Sequence, residues 1–395
     1  MKKIETDILV VGAGLSGLMS AYCLSGLNIN ISIVDHFDFT DIESRRKDLR
    51  TTAISEGSKQ FLDHIGIWKK IQKYSEPIKN IKVLDRKVSR SIEFSNPANK
   101  ENLGYIVKNS DIKFILLKEL NKKPNIRFFK NHMLLKIAYK TPSVLCQFEN
   151  FEINSKLIIG ADGKNSIVRK LLQTPVYKKQ YDQKAIVINI EHTKNHFSTA
   201  FELFYNTGPL AILPMKKIKK NKFLSSLIWS HNSDFIKSIS QINKNFLKEL
   251  LEESINSFVG EITQINSVQS FDLSAHINKR FYEKQVVYLG DAAHSIHPIA
   301  GQGWNIGIRD IKNLLEVSKN NLKLGLELGS NTYCKEYNDK TFYDAFVLFQ
   351  LTDKLNSVFL SDRFLINRFR STGFKIINKN LPIKNHISNF AMGFN

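Results

Sequence analysis

The sequence predicts an α/β chain with added α+β elements: a Rossmann-like dinucleotide-binding part interleaved with an antiparallel-sheet part, then C-terminal helices. Three observations carry that prediction. In the first 35 residues a strand, a glycine loop, a helix and a second strand ending in an acid follow one another. A strand–glycine–aspartate–helix passage returns far along the chain, at 286–310. Between the two, at 181–275, apolar and aromatic runs alternate with turn residues, as in an antiparallel sheet. A chain of 395 residues can bury a large core in one large or two interleaved domains.

Residues 8–27 carry no charge, and hydropathy alone would allow a signal peptide or a membrane helix. The internal order argues against both. Asp7-Ile-Leu-Val-Val11 reads as a short strand, Gly12-Ala13-Gly14-Leu-Ser-Gly17 is G-x-G-x-x-G, and Leu18 to Leu27 reads as a helix of small residues. Ile29 to Val34 is a second strand, and Asp35 ends it. In such a unit Gly12 makes the tight turn and Gly14 lets the backbone approach a pyrophosphate. Gly17 lets helix and strand pack closely, and Asp35 accepts hydrogen bonds from ribose hydroxyls. Gly12, Ala13, Gly14, Gly17 and Asp35 are therefore the first candidate binding residues.

Residues 36–60 lack a period until Thr51-Thr-Ala-Ile-Ser55, which reads as a turn with Arg50 just before it. Phe61 to Trp68 reads as an amphipathic helix closing on Trp68 in the core. Strand-like alternation at Ile81, Val83, Leu84, Ile92 and Phe94 suggests a sheet inserted after the first unit. Ile112 to Leu120 is helical, and the segments from Ile126 to Ile153 read as strands. Leu157 to Ser166 is an apolar strand that delivers Gly160 and then Asp162-Gly163. The 181–275 region holds four strand-like runs and a helix near Phe246–Phe258, a sheet able to roof a pocket. Phe201, Phe204 and Tyr205 are candidates either to line that pocket or to fill the core.

The 286–310 passage carries the most chemistry. Val286-Val-Tyr-Leu289 reads as a buried strand, broken at Gly290-Asp291. An ionised Asp291 is an acceptor-only group, suited to sugar or ribitol hydroxyls. The chain then passes Pro298, Gly301 and Gly303-Trp304 and enters a helix from about Asn305, with Ile306, Ile311, Leu314 and Leu315 at helical spacing. A glycine-lined turn at a helix start brings backbone N–H groups and the positive dipole end close to an anion. Beyond it, Asn331 to Phe349 and Thr352 to Phe369 read as two amphipathic helices.

Composition narrows the class. The 42% hydrophobic content is that of a globular chain, and three separated cysteines fit a reducing, cytoplasmic setting rather than a disulfide framework. His294 and His297 lack companion ligands, so no metal site is expected. The net charge is +20, yet 45 of the 57 cations are lysines spread along the chain. Its densest run, Lys216 to Lys222, reads as a solvated hairpin turn, and no nucleic-acid module is visible. Residues 359–376 interleave phenylalanines with Arg363, Arg368, Arg370 and Lys375, the composition of a membrane-surface helix or of a core helix with a basic rim.

With these residues in view, the chain resembles the flavin-dependent aromatic hydroxylases related to para-hydroxybenzoate hydroxylase. His297-Pro-Ile-Ala-Gly-Gln-Gly-Trp-Asn305 and Gly208-Pro-Leu-Ala-Ile-Leu-Pro214 resemble more narrowly the hydroxylases of ubiquinone biosynthesis. The resemblance spans nearly the whole chain. It implies a discontinuous FAD-binding domain at 1–80, 100–178 and 276–330, a substrate domain at 81–99 and 179–275, and a C-terminal helical region at 331–395. Implied cofactor-binding residues are those above with Arg50, Asn109, Asp162, Asp291, Pro298, Gly301, Gly303, Trp304 and Asn305. Arg50 comes from a partial match, Leu49 standing where the family has a glycine. Asn109 ends Gly104-Tyr-Ile-Val-Lys-Asn109, and Asp162 belongs to an Asp-Gly motif near the FAD pyrophosphate. The implied reaction is hydroxylation of a polyprenyl phenol by a flavin C4a-hydroperoxide, with NAD(P)H as electron donor and O2 as co-substrate. The chemistry then belongs to the cofactor, and no catalytic side chain is designated. The implied setting is cytoplasmic, with peripheral contact at the inner face of the membrane and with quinone-biosynthesis partners. A related FAD reductase or halogenase, or a flavin-holding scaffold subunit, would share the same motifs.

Overall fold

The computed structural model of the protein describes residues 2–41, 48–95, 102–219 and 222–393. In chain order the strands are β1 (Lys2–Val11), β2 (Ile31–Asp35), β3 (Thr51–Ser55), β4 (Glu76–Ile78), β5 (Asn80–Asp85), β6 (Arg90–Ser95) and β7 (Gly104–Lys108). There follow β8 (Ile126–Lys130), β9 (Lys136–Lys140), β10 (Ser143–Gln147), β11 (Phe151–Gly160), β12 (Val176–His192) and β13 (Thr199–Tyr205). The last are β14 (Gly208–Lys219), β15 (Lys222–Asn232), β16 (Ile262–Asn278), β17 (Tyr282–Glu283), β18 (Val286–Tyr288) and β19 (His294–Ser295). The α-helices are α1 (Leu15–Leu24), α2 (Glu56–His64), α3 (Trp68–Ile71), α4 (Asn109–Leu120), α5 (Ile167–Leu171), α6 (Ser233–Gln241) and α7 (Lys244–Val259). Then come α8 (Gly303–Lys323), α9 (Asn331–Leu360), α10 (Phe364–Lys379) and α11 (Leu381–Met392).

The first sheet runs β17-β18-β11-β1-β2-β8, with β10 and β9 paired onto β11. β1 is parallel to β2, to β11 and, through β11, to β18, so its last residues are covered on both faces. Ile8, Leu9 and Val10 are fully buried, which explains a run of apolar residues in place of alternation. α1, α8 and α9 pack their apolar stripes into the same core.

The second sheet runs β19-β16-β12-β15-β14-β13-β5-β6. It is antiparallel except where β13 meets β5 in parallel, which departs from a wholly antiparallel expectation. That pairing joins the inserted 80–95 hairpin to the main sheet across a long stretch of chain. One face packs Ile186, Ile188, Leu203, Leu210, Ile212 and Leu227 against α6 and α7. The other face turns toward the first sheet. There Asn189 Nδ2 donates to the Leu49 carbonyl (3.1 Å), and Phe204 stacks on Phe359 of α9 at 3.7 Å. Of the three aromatic pocket candidates, only Phe204 lies on this face. Phe201 and Tyr205 alternate to the other side and belong with the α6–α7 core.

Local differences from the sequence reading have simple causes. Thr51–Ser55 is a strand rather than a turn, pairing with β7 in a separate β3-β7-β4 sheet. The helix expected over Phe61–Trp68 is α2, capped by Ser55, whose hydroxyl accepts from the Ser58 amide. Gly66 at φ +79° ends that turn, so Trp68 opens α3 instead of closing α2. The two C-terminal helices expected around residue 350 are one helix, α9. Neither Gly nor Pro interrupts Phe349–Thr352, and Thr352 Oγ1 returns a bond to the Leu348 carbonyl at 3.0 Å. The break falls at 361–363 instead. β14 and β15 pair down to Lys219 and Lys222; the tip of that basic hairpin lies outside the described residues.

α10 is apolar on two sides. Phe374 and Arg370 point inward, and the Arg370 guanidinium pairs with buried Asp85 at 3.2 Å and donates to the Phe359 carbonyl at 2.8 Å. Leu365, Phe369 and Ile376 point outward and are 75%, 80% and 51% exposed. No described helix is long and apolar enough to cross a membrane.

Candidate cofactor site

Three loops that are distant in sequence meet backbone to backbone at the ends of β1, β11 and β18. Gly12 has φ +106°, and a Cβ there would lie 2.4 Å from the Ala161 carbonyl oxygen and 2.7 Å from Asp162 Cα. A Cβ on Gly17 would lie 1.9 Å from the Gly12 carbonyl oxygen, and one on Gly290 2.4 Å from Ser16 Oγ. The glycines at 12 and 17 are thus packing requirements, whereas Gly290 is required by its backbone conformation at φ +51°. Gly14 and Gly303 differ: a Cβ on either would meet nothing within 4 Å. Both face open space beside a helix start.

Those two helix starts are electrostatically alike. α1 follows Gly14 and α8 follows Gln302, with no side-chain cap and no acidic residue in either first turn. Each leaves N–H groups and a positive dipole end for an anion. Asp35 holds the first loop in shape: Oδ2 accepts from the Ala13 amide at 2.7 Å and Oδ1 from the Phe37 amide at 3.1 Å. Pro298 precedes a short 3-10 turn, Ile299–Gly301, in which Gly301 has φ +61°. Asn305 spends its side chain on the protein, accepting from the Ser55 amide (2.9 Å) and donating to the Ala53 (2.9 Å) and Gly301 (3.2 Å) carbonyls. It pins β3 to the loop. Trp304 Nε1, buried in the first turn of α8, has no protein acceptor.

Asp291 is open to solvent at the end of β18, with protein crowding close around it. Burial raises its pKa, and the nearby charges of His294, Arg50 and Lys164 oppose that rise. Arg50 is held by a two-point bond to Asp48 (2.8 and 2.9 Å) with its guanidinium 5.5 Å from the Phe271 ring centre. Its carbonyl accepts from the Asn109 amide, and Asn109 Oδ1 accepts from Thr52 Oγ1 at 2.6 Å. Asp162 Oδ2 accepts from the Ile167 and Val168 amides at 2.6 and 3.1 Å, while Oδ1 is buried without a partner.

Sequence reasoning missed the supports behind these residues. Buried Asp310 accepts from the Gly290 amide at 2.9 Å and pairs with buried His294 Nε2 at 2.7 Å. Burial alone would lower the His294 pKa, but the charge and hydrogen bond of Asp310 raise it. Buried Arg169 donates to the Ala292 carbonyl at 3.0 Å and meets His276 Nε2 at 2.9 Å. Two signals were available in sequence: Asp310 closes the glycine–aspartate passage, and Arg169 follows the Asp-Gly motif in Ser166-Ile-Val-Arg169.

An open glycine at each of two uncapped helix starts, with a carboxylate between them, fits a dinucleotide carrying a pyrophosphate, hydroxyls and a second anionic edge. The model of the FAD binding domain family matches residues 5–320. The chain belongs to that family. FAD is its cofactor, and the open glycines at the two helix starts fit its anionic groups. Among relatives, the ubiquinone hydroxylase UbiL of Rhodospirillum rubrum is 28% identical over 388 residues, covering 98% of this chain and 89% of the relative. The 3-demethoxyubiquinol 3-hydroxylase of Escherichia coli is 25% identical over 396 residues, covering 100% of both. Among solved structures, p-nitrophenol 4-monooxygenase PnpA from Pseudomonas putida superposes with a TM-score of 0.81 at 16% identity, covering 100% of this chain and 99% of that one.

Proposed function

We propose that the chain is an FAD-dependent, NAD(P)H- and O2-consuming monooxygenase that hydroxylates the aromatic ring of a polyprenylated phenol in ubiquinone biosynthesis. The observation that carries this reading is end-to-end similarity to ubiquinone hydroxylases in a chain of the FAD-binding family. In this reading the α1 start and Gly14 take the pyrophosphate, Asp35 the adenosine ribose and Asp291 the ribitol hydroxyls. The α8 start at Gly303 faces the edge of the flavin that gains negative charge on reduction. Bound FAD supplies the redox chemistry, accepting electrons from NAD(P)H and activating O2. The segments at 1–80, 100–178 and 276–330 hold it, and the second sheet covers the ring of the substrate. The test is direct. A monoprenylated phenol should stimulate NAD(P)H oxidation by the purified yellow protein several-fold and yield a product with one added oxygen. Stimulation without an oxygenated product would leave an oxidase or reductase in its place.

The substrate's apolar tail draws the protein to a bilayer, at about 0.8 kcal/mol per buried CH₂. The outward face of α10 supports peripheral contact at the inner, anionic side of the membrane, where biosynthetic partners would also be met. Leu365, Phe369 and Ile376 are exposed there beside Arg363 and Arg368. Arg370 is not among the contact cations, because Asp85 holds it in the interior. A Leu365→Asn, Phe369→Asn double variant should bind anionic vesicles at least about tenfold more weakly, a loss of about 1.4 kcal/mol. Its FAD content should not change. Equal vesicle binding by both proteins would remove this surface from the account.

A further inference from the structure

Glu202 stands on β13, an interior strand of the second sheet, on the face turned toward the FAD-binding half. Its register neighbours across that face are Val83 on β5 and Ala211 on β14, followed by Ile228 on β15 and Val187 on β12. Glu202, Leu213 and Ile228 remain partly exposed although they sit on interior strands under a covering layer. That residual exposure leaves these side chains incompletely covered by the layer above them. The same face runs toward the flavin loop. Leu213 is the diagonal neighbour of Glu202, within about 7–8 Å by strand geometry. It packs in one cluster with Ala53, and a Cβ on Gly301 would lie 3.1 Å from Ala53 Cβ. Inside this apolar setting the Glu202 carboxyl has no hydrogen-bond or ion-pair partner among the described residues. Burial alone pushes its pKa up to about 8. A carboxyl left without a partner among aliphatic side chains is a site that a bound hydroxyl can satisfy.

We propose that Glu202 is the polar anchor of the substrate cavity, binding the ring hydroxyl of the phenol and taking its proton as the ring is oxygenated. The inference rests on the phenol-hydroxylase reading above. As a new carbon–oxygen bond forms on the ring, the phenol O–H bond breaks and its electron pair becomes a ring carbonyl. The proton passes to the Glu202 carboxylate. Loss of the ring C–H proton then restores aromaticity and the hydroxyl, and Glu202 returns its proton to solvent. The transferred oxygen and the electrons that reduce its partner atom to water come from O2 and NAD(P)H. Other ionisable groups on the elements packed here have partners of their own or are neutral. Asp85 is paired with Arg370, Arg50 is held by Asp48, Asp353 is held by Lys179 and Tyr181, Glu191 is paired with Lys222, and burial lowers the His297 pKa to about 4.

The test uses FAD-loaded wild type with Glu202→Gln, Glu202→Asp and Glu202→Leu variants, a monoprenylated phenol and its methyl ether. Phenol-dependent product formation by the wild type should rise with pH through about 8. The Glu202→Gln rate should fall by about 10²–10⁴-fold and lose that rise, and Glu202→Asp should restore it. Binding, followed by the change in flavin absorbance, should favour the phenol over the ether in wild type and lose that preference in Glu202→Leu. A Glu202→Gln enzyme with the wild-type rate and pH profile overturns the assignment. So does an unchanged phenol preference in Glu202→Leu, whether or not the wild type makes product. A wild type that binds the phenol but makes no oxygenated product sinks the hydroxylase reading alone; one that fails to bind it sinks both.

Discussion

Replacing Gly14 with valine is expected to give a folded, colourless protein, whereas Gly17→Ala is expected to fail as a fold. The two glycines are three residues apart in one motif but meet different things. Nothing lies within 4 Å of a Cβ on Gly14, so the apoprotein has room for a side chain that the pyrophosphate then cannot approach. FAD affinity should drop by at least about 100-fold, or about 2.8 kcal/mol. A Cβ on Gly17 would press on the Gly12 carbonyl oxygen at 1.9 Å. That contact is with backbone and no rotamer relieves it, so the cost should exceed the usual overpacking range of about 1–3 kcal/mol. Flavin absorbance and thermal unfolding of the two variants separate these outcomes. A yellow Gly14→Val protein with full FAD occupancy would move the pyrophosphate site elsewhere.

The second large effect is expected at Asp310. Truncation to alanine strands the Gly290 amide and leaves His294 buried without its counter-charge. Breaking a buried pair of this kind costs about 3–5 kcal/mol, measurable by urea unfolding of the apoprotein. The pH dependence has a definite sign. The His294 pKa is raised in the folded state, so the pair's contribution is complete below the unfolded value and is lost as pH rises through the raised one. The gap in stability between wild type and Asp310→Ala should therefore be widest at acidic pH and narrow on alkalinisation. A gap that widened instead would mean that His294 is neutral when folded. FAD retention should fall with stability, because Asp310 fixes the amide just before Asp291.

The strand–turn–helix passages could be read from sequence because each is contiguous and carries its own turn chemistry. Gly12 at φ +106° and Gly301 at φ +61° occupy backbone conformations that other residues adopt poorly, so their spacing is visible without partners. β16 was hidden for the opposite reason. Its inward residues Ile262, Ile265 and Val268 recur every third position, because irregularities opposite Asn189–His192 insert extra residues between them. A period of three suggests neither strand nor helix. α9 reads as two helices because a polar threonine stands at its middle, yet that hydroxyl bonds within the helix. In the candidate site, Asp35, Asp162 and Asp291 were nameable from position; Arg169 and Asp310 ended recognisable motifs but their supporting roles were not legible, and Glu202 carried no signal. Their placement depends on register and packing between segments far apart, and no local pattern records that.

β12 and β16 are each 17 residues long and lie side by side for nearly their full length. At about 3.3 Å per residue they make a beam of roughly 55 Å, rooted at one end beside Ala292 and Ala293 and at the other under α7. A twin-stranded beam resists bending in the sheet plane, so the two halves of the molecule are not free to swing apart like jaws. What freedom remains lies at the rim, where the short segment at 361–363 joins α9 to α10.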